Sequence, residues 1–150
     1  MMDIFSEKDV KSCIERIDRL DKNTQPKWGK MNVSQMLAHC NVAYDMIYSD
    51  KYPQPNPFKK FLLRNFLKPI LVNDKPYKPG SPTSKDFKIV DQMDFELEKS
   101  KLITHIQKTI NLGSDFFDGK ESHSFGKLTA HEWNRMLGKH LEHHLNQFGV

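Results

Sequence analysis

Proline is concentrated in one part of this 150-residue chain. Seven of the eight prolines fall between residues 49 and 85, and the eighth is Pro26. Because proline breaks a helix interior and removes a backbone donor, long helices are confined to the residues on either side of this stretch. The chain therefore divides into two helix-forming parts that are joined by one long ordered crossover, residues 49–85.

Four segments outside the crossover carry apolar residues at three- and four-residue spacing, which predicts amphipathic helices. Their expected bounds are Ser6 to about Lys22, Asn32 to about Tyr48, Asp94 to Leu112 before Gly113, and Thr129 to about Phe148 before Gly149. Strand signals are weak throughout. The expected fold class is all-α, a single domain over residues 1–150 built as a four-helix bundle, in which the long crossover lets the second and third helices run parallel.

The crossover contains one further amphipathic segment, PFKKFLLRNFLKPI, residues 57–70. Its length allows about three helical turns. Because only three or four cations stand among many aromatic residues, we expect the segment to pack over the bundle as a lid. Two alternatives remain, namely contact with a membrane surface or nucleic acid through residues 59–68, and use of the segment as the contact surface of a binding module.

Composition narrows the expected partners. The net charge is +4 and the pI is about 9.0, but the lysines are spread along the chain, so we expect no nucleic-acid partner. No run approaches the roughly 18 apolar residues of a membrane span, so we expect no membrane partner either, and the N-terminus resembles no secretory signal. Cys13 and Cys40 fall on apolar helix faces, as expected for buried thiols in a reducing cytoplasm.

The last predicted helix ends in KHLEHHLNQFG, residues 139–149, which holds three histidines. At about 100° per residue, His144 falls within the apolar arc of this helix and His140 falls on its edge. His143 points toward the polar side. His140 and His144 are therefore the inward pair, and their spacing of one turn lets two imidazoles reach one ion.

The second predicted helix carries His39 at the edge of its own apolar face. If the second and last helices pack together, three imidazoles meet, and zinc and similar divalent ions accept such a set with a position left open for water or substrate. Each histidine taken alone is equally compatible with an ordinary core residue. The two-histidine spacing also lacks the glutamate of the H-E-x-x-H motif, so periodicity alone does not decide between these interpretations.

Two segments resemble a known family: WGKMNVSQMLAHCNVAY, residues 28–44, and LTAHEWNRMLGKHLEHHLNQFG, residues 128–149. They resemble the DinB/YfiT-like superfamily of four-helix-bundle metalloenzymes, and more closely a branch of it with no characterised function. The resemblance covers nearly the whole chain. It implies an up-down-down-up bundle and a divalent metal, zinc or nickel, bound by His39, His140 and His144 at one end of the bundle.

The resemblance also suggests a range of reactions. Relatives include isomerases and transferases in which the metal holds a low-molecular-weight thiol as a thiolate. We therefore expect a metal-dependent enzyme with transferase- or hydrolase-like chemistry on a small-molecule substrate, in which the metal activates a thiol or water. The alternative is a non-catalytic binding module with a structural or adventitious metal. A homodimer is the default expectation for such a bundle.

Other polar residues are weaker candidates for a role in the metal site. His143 is a candidate proton shuttle, although no general base is evident beside the metal ligands. Asn41 and Asp45 could hydrogen-bond to the ligands, but their pattern favours surface positions. His123 precedes the last helix in a loop from which it could approach the site. We expect His105 at the border of the third helix's apolar face, and His131 in solvent.

Overall fold

The computed structural model describes residues 2–81 and 83–150. Within these residues the chain is mostly helical, as predicted. The elements in chain order are α1 (Glu7–Asp18), α2 (Val33–Tyr48), α3 (Pro57–Leu62), a π turn (Leu63–Leu67), α4 (Lys68–Leu71), a 3-10 turn (Lys85–Phe87), α5 (Phe95–Phe117), β1 (Glu121–Ser122), β2 (Gly126–Lys127) and α6 (Ala130–Gln147). The sequence did not predict β1 and β2, which form a short antiparallel hairpin before α6.

The four predicted helices begin as the sequence predicted. Their cap residues each accept a backbone N–H through a side-chain oxygen, Ser6 for α1, Asn32 for α2, Asp94 for α5 and Thr129 for α6. In α2 and α6, Gln35 and Glu132 return a hydrogen bond to the backbone of the cap residue. These capping boxes satisfy otherwise unpaired donors and define where the two histidine-bearing helices start.

Two helix ends differ from the prediction. α1 stops at Asp18 rather than near Lys22, since the chain turns there with the Leu20 N–H bonded to the Ile17 carbonyl at 3.1 Å. The third long helix breaks at Gly113, as expected, where φ is +75° and ψ is 168°. The chain then makes one more helical turn, which places Phe117 in the core. The left-handed φ is readily available to glycine and redirects the chain without strain.

α2 is the central helix of the molecule. Ten of its 16 residues are buried, so neighbouring elements surround it. It packs against α5 and α6, and α1 packs against α5. His39, in the middle of α2, therefore lies next to the helix that carries the other inward histidines. Throughout the described residues, every helix is too short or too polar to cross a membrane.

The helical segment 57–71 packs on the bundle with its leucines and leaves its phenylalanines exposed. The residues that pack against the core are Leu63, Leu67 and Leu71. Phe58, Phe61 and Phe66 are instead 72%, 61% and 69% exposed. The segment therefore packs on the bundle, as expected, but it does so through its leucines, and the three phenylalanine rings lie on the outside. The segment has two apolar faces, and its periodicity did not indicate that the leucine face would be the buried one.

Lys139 of α6 holds the end of this segment in place. Its buried ammonium donates to the Ile70 carbonyl at 3.0 Å, the Asn73 carbonyl at 2.8 Å and Asn73 Oδ1 at 3.1 Å. It also lies 4.6 Å from the centre of the Tyr77 ring. Since a buried ammonium is costly unless it is well paired, these contacts strongly favour one position of the crossover on α6.

The N-terminal segment crosses α6 at Gly138. The Ile4 N–H donates to Asn134 Oδ1 at 2.9 Å, which ties the segment to α6. A Cβ atom at position 138 would lie 2.6 Å from the Met2 carbonyl oxygen, closer than real Cβ contacts allow. The close approach therefore accounts for a glycine at this helical position, where it otherwise lowers helix stability.

Candidate metal centre

The structure brings His39, His140 and His144 together between α2 and α6. One ligand nitrogen from each ring lies within 4.8 Å of the others. The ring centres are 4.5 to 4.9 Å apart in each pair, and the Nε2 atoms of His39 and His140 are separated by 2.9 Å. His39 and His144 are buried, whereas His140 is partly exposed. The cluster is therefore buried on the side of His39 and His144 and partly open to solvent at His140.

A backbone carbonyl orients the His39 ring. His39 Nδ1 lies 2.8 Å from the carbonyl oxygen of Phe87, in the 3-10 turn. Because a carbonyl can only accept, Nδ1 carries the hydrogen, and the lone pair of Nε2 points into the cluster. The Phe87 ring also packs edge-on against His39 at 5.4 Å. A single residue, Phe87, which follows the crossover, therefore sets both the tautomer and the position of this imidazole.

A side-chain amide orients the His144 ring in the same way. His144 Nδ1 lies 2.8 Å from Gln147 Oε1, and Gln147 Nε2 donates to the Trp28 carbonyl at 2.7 Å. The Trp28 carbonyl can only accept, so it determines which end of the amide is NH₂. The amide oxygen must then accept from Nδ1–H, which leaves the His144 Nε2 lone pair for the cluster. Neither Gln147 nor the Trp28 carbonyl was predicted, although Gln147 lies at helical i+3 spacing from His144.

All three imidazoles are held neutral. Burial lowers the pKa of His39 and lowers that of His144 to about 3. Burial, followed by the neighbouring charged forms of His144 and His39, holds the pKa of His140 well below its usual value. Bringing a proton into this cluster is therefore unfavourable, whereas three neutral nitrogen lone pairs are the form in which histidine binds a metal.

These residues fit a divalent transition-metal ion. Zinc–nitrogen bonds are about 2.0–2.1 Å long, so two imidazole nitrogens on one ion lie about 3–3.5 Å apart. The 2.9 Å separation of the His39 and His140 Nε2 atoms is close to that range. Ligand histidines also commonly donate their other N–H to a carbonyl or a carboxylate, and here His39 and His144 donate to amide oxygens. The donor set is one that zinc, nickel or similar ions accept.

His143 is less solvated than its helical angle suggested. Its ring is half-buried between Trp28 and Tyr77, each 5.8 Å away between ring centres. Burial lowers the pKa of His143, while a hydrogen bond to the Tyr77 backbone acts in the opposite direction. Its ring centre is 5.0 Å from that of His144. The prediction of a wet position was wrong because the crossover and the loop before α2 cover this side of α6.

Asn41 and Asp45 contact α5 rather than the three histidines. Asn41 Nδ2 donates to Glu98 Oε2 at 2.7 Å, and His105 Nδ1 lies 3.2 Å from Asn41 Oδ1. Asp45 accepts from Lys101 Nζ at 2.7 Å. Both residues are buried, so the expectation of surface positions was wrong. Their amphipathic pattern was misread because α2 is enclosed on every side.

Two other histidines lie away from the cluster. His131 is exposed, as predicted. His123 Nε2 lies 3.1 Å from the Pro53 carbonyl and 3.3 Å from the Tyr52 carbonyl, so the structure does not bring it to the cluster. It lines a separate cavity of about 600 Å³ at the C-terminal end of α2, together with Tyr48 and other residues. This cavity contains none of the three clustered histidines.

Comparison with known protein families identifies the family to which the chain belongs. Residues 5–149 match the model of a family described as "Protein of unknown function (DUF1569)", and the chain belongs to that family. The match covers all three clustered histidines and every long helix. Comparisons with curated proteins and with solved structures give no match. Family membership by itself assigns no reaction.

Proposed function

We propose that this chain is a divalent-metal-dependent enzyme of the DinB-like type, with His39, His140 and His144 as the protein ligands. The observation that supports this most directly is the orientation of two of the rings. The Phe87 carbonyl and the Gln147 amide each take the outer N–H of a histidine and leave the inner lone pairs convergent. Such paired outer contacts are typical of metal-binding histidines.

A bound ion of this kind lowers the pKa of a thiol or water ligand and makes a nucleophile available at neutral pH. The chain's own residues have supporting tasks. The Phe87 ring packs against His39 and His140 and shields that side of the cluster from solvent. His143, half-buried beside His144, is the candidate for moving a proton at the edge of the site. The substrate proposed is a small electrophile or a low-molecular-weight thiol conjugate, consistent with transferase- or hydrolase-like chemistry.

The second candidate function is a binding module in which the metal is structural. The observation that favours it is the position of the cavity of about 600 Å³, which lies beside His123 rather than beside the three histidines. In this interpretation the ion would link α2 to α6, and the ligand would bind elsewhere. A structural ion has its coordination positions filled, whereas a catalytic ion keeps one open.

Elemental analysis of untagged protein tests the metal proposal. We expect about one divalent ion per chain, and loss of that ion in His140→Ala and His144→Ala, because two remaining imidazoles bind a divalent ion far more weakly. His131→Ala is the matched control, since His131 is an exposed histidine on the same helix. Full metal occupancy in a variant with all three ligands changed to alanine would overturn the proposal.

A cobalt-substituted sample separates the two candidate functions. If a coordination position is open, adding a small thiol should change the visible absorption of the bound cobalt. An unchanged spectrum at millimolar thiol would favour the structural ion. The readout does not depend on knowing the substrate.

The proposal includes a particular arrangement of helices. We propose the DinB-like up-down-down-up four-helix bundle, formed by α1, α2, α5 and α6. It is supported by the packing of α2 against both α5 and α6, and by the long connection between α2 and α5. A cytoplasmic location is proposed from the two buried free thiols, Cys13 and Cys40. Homodimerisation stays a prediction.

A further inference from the structure

The outward face of segment 57–71 carries five exposed apolar side chains. They are Phe58, Phe61, Leu62, Phe66 and Ile70, which are 72%, 61%, 38%, 69% and 57% exposed. We call this set the aromatic face. Since a buried phenylalanine covers about 150–250 Å², three largely exposed rings present several hundred Å² of apolar surface. Exposed patches of that size commonly mark an interaction site.

The aromatic face is held in this orientation. The opposite side of the segment packs its leucines against the core. Lys68 pairs with Glu132 of α6 at 2.7 Å, and Lys60 pairs with Glu121 of β1 at 2.9 Å. Lys139 bonds to the backbone at the end of α4. Because these contacts to the core, α6 and β1 fix the segment, rotation that would bury the phenylalanines requires breaking them.

The π turn keeps the exposed residues in line. In a regular α-helix, steps of about 100° would carry Phe66 and Ile70 progressively away from Phe58. The π turn, residues 63–67, accommodates more residues per turn and so reduces this rotation. Phe58, Phe66 and Ile70 therefore stay on one side along the whole segment. π turns are often found at functional sites, in agreement with a role for this surface.

The segment that carries the aromatic face is basic in sequence. Residues 51–73 hold five of the 23 basic residues and none of the 19 acidic ones. Carboxylates from other parts of the chain pair with three of the five, Lys51 with Asp45, Lys60 with Glu121 and Lys68 with Glu132. The other two, Lys59 and Arg64, are exposed. A partner for the face must therefore accept aromatic rings and cations together.

We propose that the aromatic face docks on the surface of an anionic lipid bilayer. Phenylalanine and leucine side chains enter the boundary between headgroups and acyl chains, and Lys59 and Arg64 meet the lipid phosphates, as in other interfacial amphipathic helices. A second copy of the chain fits less well. A two-fold interface at this face would place the same cations opposite each other, and the area is below the roughly 800 Å² per partner of a stable dimer.

Vesicle co-sedimentation tests the proposal. We expect the full chain to bind phosphatidylcholine vesicles containing about 30% phosphatidylglycerol at least tenfold more strongly than pure phosphatidylcholine vesicles, since each cation near the surface adds attraction. Binding should weaken between about 50 and 500 mM NaCl. Changing Phe58, Phe61 and Phe66 to Ser should abolish binding, and Lys59→Gln with Arg64→Gln should remove the preference for anionic vesicles.

The matched control changes two apolar residues that are exposed elsewhere, Val90→Ser with Leu97→Ser. Their exposures of 82% and 64% resemble those of the phenylalanines, and this variant should bind like the unchanged protein. Circular dichroism confirms that each variant is folded. Failure of the unchanged protein to bind anionic vesicles at low salt would overturn the proposal. So would a dimer that dissociates only in the phenylalanine variant, because that result assigns the face to a second copy.

Discussion

Gln147 is the residue whose role in the site is easiest to isolate. It contacts His144 on one side and the Trp28 carbonyl on the other, and both bonds are shorter than 3 Å. We expect Gln147→Leu to weaken metal binding about 10- to 100-fold, since the His144 ring loses the acceptor that sets its tautomer and orientation. Competition with a coloured chelator measures this change directly.

The control for this variant is Gln107→Leu, which changes an exposed glutamine of α5. It should leave metal affinity unchanged. The thermal stability of both metal-free variants should be measured alongside, because a general loss of folding would lower affinity without any specific role for Gln147. Unchanged affinity in a folded Gln147→Leu variant would remove the positioning role.

At the residue scale, the sequence predicted which histidines turn inward and not what holds them. Angular position along α2 and α6 was sufficient for His39, His140 and His144, because a regular helix fixes the relative direction of its side chains. His143 was misplaced because loop residues far along the chain cover it. The Phe87 and Trp28 carbonyls could not be predicted, since any residue can supply a backbone carbonyl.

Gly138 allows a test at the scale of a single helix. Gly138→Ala would normally stabilise a helix by about 1 kcal/mol. Here the new Cβ would lie 2.6 Å from the Met2 carbonyl oxygen, so we expect a net loss of about 1–3 kcal/mol as the N-terminal segment is displaced. Urea unfolding measures the difference, with Ser100→Ala on the exposed side of α5 as the control. A gain in stability would contradict this expectation and show that the N-terminal segment can move away from position 138 at little cost in free energy.

The first residues of the helices were predicted more accurately than the last ones. The capping boxes at Asn32 and Thr129 are each formed by residues three positions apart, so they do not depend on the packing of distant parts of the chain. The end of α1 and the extra turn after Gly113 depend on distant packing, such as the burial of Phe117. The outward aromatic face belongs to the same class, because the choice between two apolar faces is made by tertiary contacts.

The whole molecule should lose stability in acid when it contains no metal. A histidine whose folded pKa lies below its unfolded value of about 6.5 binds protons preferentially when unfolded, so the free energy of unfolding falls as pH drops below 6.5. For His144, with a folded pKa of about 3, the loss between pH 7.5 and 5.0 is about 2 kcal/mol. His39 and His140 shift in the same direction.

Denaturant unfolding of metal-free protein at the two pH values measures this loss. The free energy of unfolding of the His144→Asn variant should fall less between the two pH values, because the contribution of one histidine is removed. His131→Asn, which changes an exposed histidine, should retain the full dependence. Equal unfolding free energies at pH 7.5 and 5.0 would contradict the neutral state assigned to the cluster.

For the molecule as a whole, hydrophobic periodicity and proline placement predicted the mostly helical class correctly. They could not predict that α2 would be enclosed on all sides, because its polar positions Asn41 and Asp45 read as solvent-facing. In the structure those positions pair with α5. In the sequence, a buried polar residue cannot be told from an exposed one unless the residue that pairs with it is known.

In the proposed metal site, the two amide oxygens behind His39 and His144 would affect ion selectivity. Because protein groups already orient both rings, little conformational freedom is left to lose when an ion binds, so binding is preorganised. A preorganised set of nitrogens also adapts poorly to ions of another size or preferred geometry. The anchors contributed by Phe87 and Gln147 should therefore let coordination geometry, rather than the general order of affinities, determine which metal is retained.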